Sequence, residues 1–131
     1  MSNDPTPPSP AAPEPASPAT GKATIDFDLF AKVDLRVATV IDCKPHGNAD
    51  KLLVLQIDLG TERRQICAGL RQHYAPEDLI GRQVIVVANL APRQMRGQIS
   101  QGMLLAATDA ASGRVIVLGP AQPVGPGSEV R

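Results

Sequence analysis

Residues 83–108, QVIVVANLAPRQMRGQISQGMLLAAT, decide how this chain is read. They open as an apolar β run, QVIVVANL, turn polar from Asn89 onward, and recover apolar character only at GMLLAAT. Between the two runs lie Arg93, Gln94, Arg96, Gln98, Ser100 and Gln101, with Pro92, Gly97 and Gly102 as turn formers. A hairpin needs about two to five residues to reverse direction. The interval from Asn89 to Met103 is therefore an arm between two strands as well as a turn.

Working outward, PEDLIG just upstream predicts a short helix: Pro76 suits the first helical position, acids follow it, and Gly81 is placed to stop it. Further back, VDLRVATVI alternates Val33, Leu35, Val37, Thr39 and Ile41 against Asp34, Arg36, Ala38, Val40 and Asp42, the period of a half-buried strand. KPHGNADK supplies loop residues. LLVLQIDLG is a second alternating run ending at Gly60, and RRQICAGL reads as a third strand. The predicted order is three strands, a short helix, then two strands. That is the order of an all-β OB-fold, a five-stranded Greek-key barrel with its helix between strands 3 and 4. In such a barrel strands 2 and 3 and the loops joining strands 1 to 2 and 4 to 5 face the ligand, so the polar arm becomes a ligand-facing loop. Element order alone also suits other small barrels.

The chain has 131 residues, enough for one domain and a tail. Residues 1–24 are rich in proline and alanine and contain little that buries a core, so they are expected to be a disordered tail or linker, with PTPPSP as a possible PxxP ligand. Residues 25–131 are expected to form the domain. Formal net charge is zero, which excludes a globally basic, histone-like field and requires any nucleic-acid site to be local. Cys43 and Cys67 lack CxxC spacing and read as reduced thiols, with no zinc site or disulfide framework. The N-terminus does not read as a secretory signal and no apolar run approaches membrane-span length; a cytoplasmic protein is expected.

The neutral total conceals a polarity. Residues 25–58 carry four basic and six acidic side chains, whereas residues 59–108 carry six arginines and three acids. Arg63, Arg64 and Arg71 lie on or beside the third strand, and Arg93 and Arg96 in the arm. On an OB-fold these segments converge, and arginines grip phosphate through planar paired hydrogen bonds. The alternative is that these arginines are simply solvated outer strand faces. Phe27, Phe30 and Tyr74 are the only aromatics and none falls on a predicted binding strand, which points to folded RNA held by backbone and shape. No catalytic constellation is present: His46 and His73 sit in separate loops, and Cys67 reads as a buried strand residue. The chain is expected to be no enzyme and to need neither metal nor cofactor.

FAKVDLRVATV, NADKLLVLQIDLG, RQICAGLR, ANLAPRQMRG and SQGMLLAA, taken together and in this order, closely resemble the tRNA-binding domain found at the C-terminus of many bacterial methionyl-tRNA synthetases. The same module occurs as free-standing tRNA-binding proteins and in EMAP II-like synthetase cofactors. The resemblance runs from about Ile25 to Arg131. It implies that Lys51, in the ADKL element, meets RNA phosphate, and that Asn89, Leu90, Pro92 and Arg93, with Ser100, Gly102 and Met103, belong to an RNA-facing surface. Asn89 has a second reading as a tie for the loop backbone, Gly102 as a site of unusual dihedral, and Met103 as core. The implied tRNA contact set is Lys51, Arg63, Arg64, Asn89, Arg93, Arg96, Ser100 and Met103. The sequence departs from the family at Gly47, where proline is usual, and at Ala68, where serine is common. The resemblance also implies a homodimer whose interface uses the flanks IDFDLF and RVIVLGPAQPVGPGSEV, and a synthetase catalytic body as a partner in cis or trans. Related barrels resembling CsaA offer a different expectation, a chaperone-like or export-related module. Whether the chain is a free-standing protein or part of a synthetase stays open.

Overall fold

The computed structural model describes residues 21–131, so most of the expected tail, including PTPPSP, lies outside the described residues. Two compact units are present, dividing after Lys32. In the first, α1 (Phe27–Phe30) is a single turn capped by Asp26, whose carboxylate accepts the Leu29 N–H at 2.9 Å. Its apolar residues Phe27 and Leu29 are exposed.

The second unit, Val33–Arg131, is the expected all-β fold: a nearly closed barrel sheet with short helices only. Its main strands are β1 (Leu35–Pro45), β2 (Leu53–Asp58), β3 (Arg63–Ala68), β4 (Gln83–Val87) and β7 (Met103–Leu104), ordered β3-β2-β1-β4-β7 with every pairing antiparallel. The arm between β4 and β7 folds into a hairpin of its own, β5 (Arg93–Met95) with β6 (Gln98–Ser100). Helix α2 (Pro76–Leu79) lies between β3 and β4 as expected, with the Asp78 carboxylate accepting the Ala75 N–H at 3.1 Å. It sends Leu79 into the core.

β1 is the long central strand of the barrel sheet. Its first half pairs with β4, Leu35 to Val87 through Thr39 to Gln83, and its second half pairs with β2, Thr39 to Asp58 through Pro45 to Leu53. Between Val40 and Asp42 the register slips by one residue, so Ile41 is a bulge; a bulge bends and twists the strand, which lets one strand serve two directions of the sheet. The period expected for this strand is present but its phase is reversed. Ala38 and Val40 are fully buried in the core and Cys43 joins them beyond the bulge, whereas Val33 is exposed and Ile41 half-buried. Val37 is buried on the opposite face, and its backbone is bonded along the strand edge to Ser128 and Gly127. The C-terminal segment occupies the edge of β1 opposite β4, pairing β10 (Glu129–Val130) with Leu35 and Arg36, so both edges of the strand's first half are paired.

Leu53, Leu55 and Ile57 of β2, Ile66 of β3, Val84 and Val86 of β4 and Leu79 of α2 complete the core. Burying each such side chain stabilises the fold by about 1.5–3 kcal/mol. The expected fifth strand is split. After β7, the chain breaks at Leu105, and β8 (Ala106–Thr108) pairs with β9 (Val115–Val117) instead. The apolar run Val115–Leu118 thus already has a backbone partner within the chain, and Val117 enters the core while Ile116 and Leu118 stay exposed.

Candidate nucleic-acid interface

The β5–β6 hairpin lies along the outer side of β3, joined to it mainly by glutamines. Gln65 accepts the Gln101 backbone N–H at 2.8 Å, and its own N–H donates to the Gln101 side-chain oxygen at 3.1 Å. Its side-chain amide donates to Gln98 Oε1 and to the Ile99 carbonyl, both at 3.0 Å, while its oxygen accepts from Gln56 at 3.0 Å. Both donor positions and the acceptor oxygen of this amide are engaged, which ties the arm to the barrel. Ser100 adds a buried tie: its hydroxyl accepts the Cys67 N–H and donates to the Gly102 carbonyl, each at 2.9 Å. Gly102 is required where it stands, since its φ is +143° and a Cβ would lie 2.9 Å from the Val87 carbonyl oxygen.

The hairpin tip is the two-residue turn Arg96–Gly97, with φ of +57° and +91°. Primed turns of this kind need positive φ at both positions and favour Asn-Gly or Gly-Gly. Arginine in the first position costs about 1–2 kcal/mol of backbone strain. The turn thereby carries a guanidinium at the outermost point of the arm.

Arg96 meets Lys51 across an open cleft of about 450 Å³, whose other wall is Asn48, Ala49, Asp50 and Leu52 from the β1–β2 loop. Arg71, whose N–H donates to the Lys51 carbonyl at 3.3 Å, stands beside that wall. A second, more enclosed cavity of about 260 Å³ brings together Arg93, Ser100 and Met103 over a floor that includes Cys67 and Leu70. Burial raises the Cys67 thiol above its ordinary range, so it is a poor nucleophile. Lys51, Arg63, Arg71, Arg93 and Arg96 are exposed, and no side-chain ion pair or hydrogen bond engages them among the described residues.

The other expected site residues are placed differently. Arg64 is half-buried: its guanidinium donates to the Ala88 carbonyl and, at 3.5 Å, to the Gln101 carbonyl, and its Nε donates to Glu62 at 2.7 Å. That hydrogen bond and the arginine's charge hold the Glu62 carboxyl below its ordinary value of 4.5. The Asn89 side-chain oxygen accepts the Asp34 N–H at 2.9 Å, tying the root of the arm to the start of β1. Arg63, one residue from Arg64, points to the opposite face because strand side chains alternate, and it lines neither cavity. Reading the residues missed His46, which is 4% exposed and bonded on both ring nitrogens. It also missed the glutamine set, since nothing local distinguishes Gln65, Gln98 and Gln101 from solvated strand residues.

Among the described residues no cluster of His, Cys, Asp and Glu is arranged to hold a metal ion, and no helix is long and apolar enough to cross a membrane. A bent β1, a nearly closed sheet and a projecting arm flanked by exposed cations define a small OB-type barrel. Comparison with known proteins agrees: the chain belongs to the tRNA_bind family, described as "Putative tRNA binding domain", which matches residues 35–129. Over 110 residues it is 49% identical to a methionine–tRNA ligase of Bacteroides fragilis, an alignment covering 84% of this chain and 16% of the ligase. A methionine–tRNA ligase of Pyrococcus abyssi is 53% identical over 107 residues, 82% of this chain and 14% of the ligase. The chain therefore spans about a sixth of the length of the curated ligases it matches. Among solved structures, a methionyl-tRNA synthetase related protein from Pyrococcus horikoshii superposes with TM-score 0.78 at 33% identity, covering 84% of this chain and all of the other. The chaperone CsaA from Bacillus anthracis superposes with TM-score 0.74 at 30% identity, covering 83% of this chain and all of CsaA.

Proposed function

We propose that this chain binds folded tRNA through the cationic rim formed by the β1–β2 loop and the arm, and that it serves a methionyl-type synthetase, in cis or in trans, within the cytoplasm. The observation that carries this reading is the shared cleft of Lys51 and Arg96, two cations with no side-chain partner among the described residues, on a chain of a tRNA-binding family. Lys51, Arg93 and Arg96 contact phosphate at the rim, Arg63 does so from the start of β3, outside both cavities, and Met103 offers apolar contact at the rim of the second cavity. Arg64, Asn89 and Ser100 build the surface on which those groups stand. The domain acts as a homodimer through its exposed apolar flanks, Ile25 to Phe30 and Ile116 with Leu118, and two copies raise affinity by avidity. Mobility-shift titration of the protein with tRNA, combined with sizing of the free protein and the complex, tests this reading. Binding that weakens with salt and a sizing shift to two chains are expected; no shift at low salt sinks it.

The likeness to CsaA and the largely apolar second cavity favour one further reading, a module that binds unfolded polypeptide. Peptide binding that survives high salt, with no tRNA shift, would select it.

A further inference from the structure

His46 stands in the β1–β2 loop, almost wholly buried, and joins the two walls of the Lys51–Arg96 cleft. Its Nδ1 lies 2.9 Å from the Asn48 backbone nitrogen, which can only donate, so Nδ1 accepts. Its Nε2 lies 2.8 Å from the Met95 carbonyl oxygen, which can only accept, so Nε2 carries the hydrogen. The two partners require the same neutral tautomer. Asn48 begins the loop wall that carries Lys51, and Met95 is the residue immediately before the Arg96–Gly97 turn. Among the described residues this is the only hydrogen bond between loop residues 46–52 and arm residues 93–100. The glutamine ties hold the arm to β3 through Gln98, Ile99 and Gln101, and none of them reaches the β1–β2 loop.

We propose that His46 is a positioning residue: as the Nε2–H tautomer it bolts the loop to the arm and sets the spacing at which Lys51 and Arg96 together receive an RNA phosphate. The proposal rests on the tRNA-binding reading above. A cleft whose walls are fixed in advance avoids the ordering cost that two mobile cationic arms would incur on binding. The bolt contributes through geometry alone, because the neutral ring adds no charge to the rim.

Two short substitutions separate its two bonds. His46→Asn places an oxygen near Nδ1 and keeps the acceptor for Asn48, but is too short for Met95. His46→Gln reaches Met95 with its amide. In the free protein, amide hydrogen exchange at Arg96 to Gln98 is expected to quicken about tenfold in His46→Asn and to stay near wild type in His46→Gln. With tRNA, His46→Asn is expected to bind about tenfold more weakly with an unchanged salt dependence, and His46→Gln to recover to within about threefold of wild type. Imidazole nitrogen NMR of the unmodified protein should show hydrogen on Nε2 only. The proposal is overturned by a ring protonated on Nδ1 at neutral pH, by wild-type affinity in His46→Asn, or by equal losses in both variants. Wild-type protein that binds no tRNA would overturn the function on which the proposal rests, and the exchange rates alone would then show whether the ring couples loop to arm.

Discussion

Arg63 and Arg64 are adjacent and chemically identical, and the structure assigns them opposite work. Replacing Arg64 with alanine removes the charged donor from the carbonyls of Ala88 and Gln101, at the junction of β3, the end of β4 and the approach to β7. Hydrogen bonds from charged donors contribute about 1.5–3 kcal/mol, and Ala88 is buried, so its carbonyl has little access to replacement water. The ion pair with Glu62 adds little, since Glu62 is exposed and solvent screens it. The expected loss is about 2–3 kcal/mol. For a barrel of this size that lowers the melting temperature by roughly 10 °C. Replacing Arg63, which is exposed and has no side-chain partner among the described residues, should change stability by no more than about 0.5 kcal/mol. It should instead lower the salt slope of tRNA binding by about one phosphate contact. Thermal unfolding followed by circular dichroism, paired with salt-dependent tRNA titration, separates the two effects. An Arg64→Ala protein melting within 2 °C of wild type while losing as much tRNA affinity as Arg63→Ala would refute the assignment.

Other consequences follow from groups inside the barrel. Gly102→Ala should cost about 2–3 kcal/mol in chemical denaturation, because it forces an alanine into a positive φ with its Cβ against the Val87 carbonyl. Ser100→Ala should cost about 1–3 kcal/mol, since the buried Cys67 N–H and Gly102 carbonyl both lose their partner, whereas Ser100→Thr tests only whether a methyl fits. The Cys43 thiol is pushed up to about 11, first by burial and then by the charges of Asp42 and Glu77. Folding therefore favours the neutral thiol: the associated stability is complete below pH 9 and is lost as pH rises toward 11. A thiol reagent at pH 8 should leave Cys43 unmodified until denaturant is added, and Cys43→Ala should show a shallower alkaline loss of stability than wild type.

Much of the fold was legible because strands announce themselves by alternation and by their turn residues. The order of β1 to β4, the helix at Pro76 and the projecting arm follow from that local chemistry. The phase of β1 did not follow, because the neighbours Val37 and Ala38 are both buried though they face opposite sides of the strand, and alternation cannot rank two buried faces. GMLLAAT looked like one strand since its apolar residues are continuous; only pairing with distant Val115–Val117 divides it at Leu105. At the site, position along the chain located Lys51, Arg93 and Arg96 on the two arms. It could not separate Arg64 from Arg63, whose difference lies in carbonyls 24 and 37 residues away. His46 was illegible for the same reason, its decisive partner being 49 residues distant. Local pattern places side chains on faces; which of them are already spent is settled by contacts far along the chain.

The most direct test of tRNA binding by the cationic rim is the slope of log affinity against log salt, measured for wild type and for Lys51→Ala combined with Arg96→Ala. Three rim contacts from Lys51, Arg93 and Arg96 and one from Arg63 at the start of β3 predict a slope of about −3 per protomer, and removing the two cleft cations should bring it to about −1.5 with the melting temperature unchanged. A wild-type slope near zero, or a double variant that keeps the wild-type slope, would contradict the account.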